Sequence, residues 1–170
     1  MKVFSIYGYS NSGKTTTTIR IIKELVKRNY KVNAIKSVHI RGFSIDKKGK
    51  DSWRHWQAGA QTTAIRALNE TSIIYRKSMT LKELIPYFDC DYLVLEGFSE
   101  EEKIPKILCA KELSEIEELF QPQVFVIAGV ISNKKKVHKG IPIVNGVKNT
   151  HKLVDLIEKK AMKKEDFLNP

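Results

Sequence analysis

The string Gly8-Tyr9-Ser10-Asn11-Ser12-Gly13-Lys14-Thr15 constrains this chain more than any other stretch. It reads G-x-x-x-x-G-K-T. The glycines let the backbone turn tightly and approach an anion with no Cβ in the way. Successive N–H groups then form a concave nest at a helix N-terminus, where the helix dipole also favours negative charge. A lysine placed like Lys14 reaches the β- and γ-phosphates, and a hydroxyl placed like Thr15 is a Mg²⁺ ligand. At average residue usage the pattern arises by chance in fewer than about one in a hundred chains of this length. Its flanks also fit. Residues 2–7 are an apolar run of strand formers, and Ile19, Ile22, Leu25 and Val26 recur afterwards at helical spacing. The expectation is a phosphate-binding loop in which Gly8, Ser10, Asn11, Ser12, Gly13, Lys14, Thr15 and Thr16 hold a nucleoside triphosphate with Mg²⁺.

The rest of the chain extends this beginning into an α/β domain. A helix over about 14–28 and a strand over 31–36 complete a βαβ unit. Residues 37–50 read as a long polar loop, a length often tied to function. A helix over about 52–59 follows, then strands at 62–67 and 71–76 and a short helix at Leu81, Leu84 and Ile85. Tyr92-Leu93-Val94-Leu95 is a buried-strand signal closed by Glu96 and Gly97. A helix over 112–119, an apolar strand over 124–130, an edge strand at 141–144 and a helix carrying Leu153, Leu156 and Ile157 complete the reading. Continuous apolar strands alternating with helices predict a doubly wound, mostly parallel sheet with helices on both faces. No repeat or linker tract interrupts it, so one domain over 1–170 is expected.

Composition narrows the partners. Thirty Lys+Arg against 19 Asp+Glu give a formal charge of +11, which favours an anionic ligand. No Arg-Gly repeat or base-stacking aromatic motif accompanies the charge, which argues against nucleic acid. No apolar run is long enough to span a membrane. The first residues turn polar too soon for a secretory signal, so the cytoplasm is the expected compartment. Cys90 and Cys109 match no zinc or redox spacing and read as reduced, partly buried thiols.

Three further groups are candidates. Glu96 closes a buried strand, where phosphate-loop proteins place a carboxylate near the metal; the alternative is an ordinary strand-end acid. Asp46-Lys47-Lys48-Gly49-Lys50-Asp51-Ser52-Trp53-Arg54 combines carboxylates, cations and a hydroxyl. It suits a metal ligand, phosphate contacts or a switch segment, or else a solvated turn in which Ser52 caps a helix. His39 either orients water or an anion or is simply exposed.

Together these residues resemble the MobB family, the molybdopterin-guanine dinucleotide biosynthesis adapter proteins. The resemblance runs from the loop Gly8 to Thr15 through Lys36-Ser37-Val38-His39, the block Asp46 to Arg54, Ala58-Gly59-Ala60, Leu95-Glu96-Gly97-Phe98 and Pro105-Lys106-Ile107. It implies a GTP-binding accessory protein of molybdenum cofactor maturation, with weak GTPase activity and a homodimeric state. Its implied partner is molybdopterin or the guanylyltransferase that modifies it. Carried over, Lys14 and Thr15 serve phosphate and Mg²⁺, and Glu96 the metal region. Asp46, Lys50, Asp51 and Arg54 line the site near the γ-phosphate or a pterin. The family's histidine-rich Lys-His-x-His-His is here Lys36-Ser37-Val38-His39-Ile40, with two of the three histidines absent. Guanine-reading loops often carry Asn-Lys-x-Asp. Here Asn133-Lys134-Lys135-Lys136 lacks the aspartate, so Asn133 either flanks the base or lies in a basic turn.

The implied mechanism is slow hydrolysis, with Lys14, Lys50 and Arg54 stabilising transition-state charge. Two other classes remain open at this stage: a small-molecule kinase of the same fold using ATP, and a basic nucleic-acid-binding module.

Overall fold

The computed structural model describes residues 1–169, which form two compact units. Residues 1–37 and the chain from Tyr87 onward make the first; Val38–Pro86 make the second.

The first unit is built on a sheet ordered β2-β5-β1-β6-β7. Its strands are β1 (Lys2–Tyr7), β2 (Val32–Lys36), β5 (Tyr92–Glu96), β6 (Lys106–Cys109) and β7 (Val124–Ala128). All neighbours along that path are parallel. Side chains that alternate along the strands feed two cores. Phe4, Ile6, Val94, Ile107, Cys109, Val126 and Ala128 pack with Ile21 and Leu25 of α1 (Lys14–Lys27) and with Leu153, Val154 and Ile157 of α5 (Thr150–Lys160). Tyr7, Leu108 and Ile127 pack with Ile116 of α4 (Leu113–Leu119). Each fully buried Ile or Leu contributes roughly 1.5–3 kcal/mol. The doubly wound α/β expectation thus holds. Arg28, just past α1, ties the two helices of the first face together through Asp155 at 2.8 Å and Glu158 at 3.1 Å.

Three strands escaped the sequence reading, the two-residue β8 (Val137–His138) among them. β6 is only four residues long, too short for periodicity to register. β10 (Met162–Lys163) is two residues, antiparallel to Lys2 and Val3, on a stretch of β1 that β6 does not pair; a short helix α6 (Lys164–Leu168) follows it. The strand expected over 124–130 ends at Ala128, because Gly129 takes φ 88°. Of the expected edge strand, Ile141–Pro142 (β9) pairs with Val137–His138 (β8), and Ile143 bridges to Ile127. Lys106 is fully buried. Its ammonium donates to the Ser99 carbonyl at 2.6 Å and to Gln121, and faces the Tyr7 ring at 5.7 Å. Burial lowers its pKa below the ordinary lysine value. Among the described residues no helix is long and apolar enough to cross a membrane.

The second unit holds α2 (Asp51–Gln57), the antiparallel hairpin β3 (Thr62–Arg66) and β4 (Thr71–Tyr75), and α3 (Leu81–Leu84). Thr80 starts α3 with a full capping box to Glu83. The unit's central polar feature is Asp46. Its carboxylate accepts from the Ser52 hydroxyl at 2.7 Å and pairs with Arg76, whose guanidinium lies 4.6 Å from the Trp56 ring. The Ser52 hydrogen bond and the Arg76 charge hold Asp46 below the usual carboxylate range. A depressed folded pKa contributes stability above the unfolded value and loses it as pH falls through the folded value. Thermal midpoints recorded from neutral pH down into the carboxylate range should therefore fall more steeply for the wild type than for Asp46→Asn. Parallel curves would mean that the Asp46 cluster does not support the fold.

Candidate functional site

β1 delivers the loop to the C-terminal edge of the sheet, where open α/β sheets bind ligands. Gly8 has φ 145°, and a Cβ there would lie 2.0 Å from the Cys109 carbonyl oxygen. Gly13 takes the left-handed conformation at φ 94° and caps α1 with no side-chain acceptor. The first N–H groups of a helix have no partner within it, so this end of α1 presents donors and a positive dipole. Lys14 folds over the loop and donates to the Gly8 carbonyl at 2.8 Å and the Tyr9 carbonyl at 2.7 Å. Burial lowers the pKa of its ammonium. A partly desolvated cation beside unpartnered amides is complementary to a polyphosphate.

Next to it, the Thr15 hydroxyl donates to Glu96 Oε1 at 3.0 Å, and the Lys36 ammonium pairs with the same oxygen. Glu96 is 8% exposed and stands in register with Lys36 across the β2–β5 pair. Gly97 follows at φ 98°, and a Cβ there would come 3.0 Å from the Ser37 side chain. A hydroxyl and a carboxylate side by side are hard oxygen donors. They fit Mg²⁺, which takes one or two protein ligands and completes its shell with phosphates and water. Among the described residues there is no group of three or more His, Cys, Asp or Glu that could cage a metal alone.

The loop is held from behind by a contact that sequence reasoning missed. Gly129 ends β7, and a Cβ on it would lie 2.2 Å from the Ser12 carbonyl oxygen. Val130 N–H donates to that oxygen at 3.1 Å, and Ile131 N–H donates to the Ala110 carbonyl at 2.9 Å. The available signal was a glycine directly after a buried strand. Lys36 was also unassigned as a site residue, although it closes β2 as Glu96 closes β5. Cys109 lies wholly buried beneath the loop, and burial pushes its thiol up to about 12. It is a packing residue with no nucleophilic character at neutral pH.

Asn133 lies in the 3-10 turn Val130–Asn133 and lines a cavity that reaches Gly13, Thr16 and Thr17. Ser10, Asn11 and Thr16 are exposed on or beside the loop, and Ser12 is buried within it. His39, Asp46, Lys50, Asp51 and Arg54 belong to the second unit. There Asp46 is engaged by Ser52 and Arg76, Lys50 precedes α2, and Arg54 is an exposed neighbour of Asp51 at 3.8 Å.

The model of the family described as MobB, molybdopterin guanine dinucleotide synthesis protein B, matches residues 3–133. The chain belongs to the MobB family. A molybdopterin-guanine dinucleotide biosynthesis adapter protein of Haemophilus influenzae is 38% identical over 126 residues, covering 68% of this chain and 70% of its own length. A protein of Bacillus subtilis described as a probable adapter of the same kind is 29% identical over 149 residues, 83% of each chain. The crystal structure of Bacillus subtilis MobB superposes with a TM-score of 0.77 at 25% identity, covering 96% of this chain and all of that one. The MobB match thus takes in the loop, Glu96, Gly129 and Asn133.

Gly129→Ala should lower unfolding free energy by at least about 1–3 kcal/mol from backbone strain alone. The clash with the Ser12 carbonyl should add to that loss. Denaturant titration measures this; an unchanged midpoint would show that the loop is not wedged against β7.

Proposed function

We propose that this chain is a GTP-binding adapter of molybdopterin-guanine dinucleotide biosynthesis, with slow Mg²⁺-dependent GTP hydrolysis. The observation that carries the reading is the uncapped N-terminus of α1, with Lys14 over the loop and Thr15 beside Glu96, in a chain of the MobB family. In this reading the loop amides and Lys14 hold the triphosphate. The Thr15 hydroxyl and the Glu96 carboxylate would hold Mg²⁺, which supplies charge neutralisation at the phosphates when bound. Lys36 holds the Glu96 carboxylate in place through their ion pair. Arg54, Lys50, His39, Asp46 and Asp51 are proposed ligand-binding residues carried by the second unit, and Asn133 of the first is proposed to flank the base. The motif Gly8 to Thr15 itself carries no glutamine or arginine to position water, which supports slow turnover or dependence on a partner. That partner is molybdopterin or its guanylyltransferase. Such an adapter works in the cytoplasm, where the triphosphate pool lies.

The proposed homodimer draws support from the second unit. Ile40, Phe43, Ile45, Leu68 and Ile73 are exposed there. Burying these side chains against a second copy would remove apolar surface from water.

Calorimetric titration of GTP and then ATP into the full chain with Mg²⁺ tests the reading. GTP should bind more tightly than ATP, and Lys14→Ala should abolish most of the heat. ATP preference would move the assignment to a small-molecule kinase, and no binding of either would end the nucleotide reading. Single-turnover hydrolysis without partners should be slow, far below the rates of stimulated GTPases. Light scattering should report a dimer, and Ile73→Lys should shift it toward monomer; a monomeric wild type would remove the dimer.

A further inference from the structure

Beside the phosphate loop the first unit holds a cavity of about 320 Å³. Gly13, Thr16 and Thr17 of the loop and α1 form one side, Ser132 and Asn133 another, and the segment Asn145–Lys148 the third. Thr16, one residue past Thr15, lines it, so a nucleoside whose phosphates lay on the N-terminus of α1 would extend toward it.

The third wall is rigid. Asn145 Oδ1 accepts the backbone N–H groups of Val147 at 3.0 Å and Lys148 at 2.9 Å. The Asn149 N–H donates to the Asn145 carbonyl at 2.9 Å, and the Thr150 hydroxyl to the Gly146 carbonyl at 2.7 Å. Gly146 is pressed against α1, where an added Cβ would meet Thr17 at 3.1 Å. With its oxygen spent in this way, Asn145 uses Nδ2 to donate to Asn133 Oδ1 at 2.9 Å. That bond fixes the Asn133 amide. Its oxygen is occupied, and its Nδ2 remains as a donor pair.

The lining carries a cation and no anion. Lys148 and Asn133 Nδ2 are its nitrogen donors beside Asn145, whose Nδ2 is taken by Asn133; the Thr16, Thr17 and Ser132 hydroxyls can donate or accept, and no carboxylate lines the cavity. Guanine and hypoxanthine present two acceptors, N7 and O6, along one edge. Adenine replaces O6 with an amino donor, which would face donors. The 2-amino and N1–H groups that distinguish guanine need an acceptor such as an aspartate. Lys136 stands where Asn-Lys-x-Asp would supply one.

We infer that this cavity seats a 6-oxopurine, read at N7 and O6 by Asn133 and Lys148, and is indifferent to the 2-amino group. The inference rests on the nucleotide reading proposed above and sharpens it. The chain selects against adenine and does not select guanine over hypoxanthine. Asn145 acts as a positioning residue through Asn133.

The test is titration of GTP, ITP, ATP and inorganic tripolyphosphate, each with Mg²⁺, into full-length wild type, Asn133→Ala and Lys148→Met. Wild type should bind ITP within about threefold of GTP, and ATP at least about tenfold more weakly, the scale of a lost charge-assisted hydrogen bond. Both variants should shrink the GTP-to-ATP gap while keeping wild-type affinity for tripolyphosphate, which reports an intact fold and phosphate loop. GTP favoured over ITP by about tenfold would overturn the inference, as would equal binding of GTP and ATP. An undiminished gap in both variants, or lost tripolyphosphate binding in both, would do the same. If wild type binds no triphosphate and no tripolyphosphate, the nucleotide reading itself fails, and the inference with it.

Discussion

Backbone meets backbone at the C-terminal edge of the sheet, with no side chain between. Gly8 lies against the Cys109 carbonyl, and Gly129 against the Ser12 carbonyl, which the Val130 N–H also holds. These contacts tie the phosphate loop to β6 and β7 at once. Everything functional in the first unit inherits that placement: the aim of the α1 N-terminus, the reach of Lys14, and the shared wall with the turn that carries Asn133. Interiors at this packing density tolerate almost no added volume. The glycines are therefore a steric requirement as well as a conformational one.

Charge forms the next layer on this scaffold. Glu96 is bound by Thr15 and Lys36, and Lys14 is bound by carbonyls of its own loop. These ionic groups thus find partners within the site. In the proposed reading a polyphosphate would exchange these partners, so its affinity would depend on the difference between two satisfied states.

Much of this was legible in the sequence, for identifiable reasons. The loop motif has fixed spacing and its flanks are locally coded, so β1, α1 and β5 could be read directly. Glu96 was legible because it closes an uninterrupted apolar run. β6 and β10 were not, since four and two residues carry too little periodicity, and their pairing is decided by distant parts of the chain. Gly129 was visible as a letter, but its contact with Ser12 is made only by tertiary structure. The Asn145–Lys148 wall was equally hidden: its role depends on Asn133, twelve residues away and across a loop. The second unit was read as charged and polar from Asp46 to Arg54. Its organising ion pair involves Arg76, on the far side of a hairpin that the local pattern does not connect to Asp46.

β10 bears on how the chain matures. Its two residues pair with Lys2 and Val3, at the root of the strand whose other end launches the phosphate loop. The ribosome makes β1 first among the strands and β10 last. The sheet neighbour that anchors the base of β1 therefore arrives after every other strand has emerged. A growing chain can assemble the loop and α1 early, yet the root of their supporting strand lacks this neighbour until β10 has emerged. Closure of so long a sequence separation is slow compared with helix formation, so the root of β1 gains its second neighbour later than α1 forms.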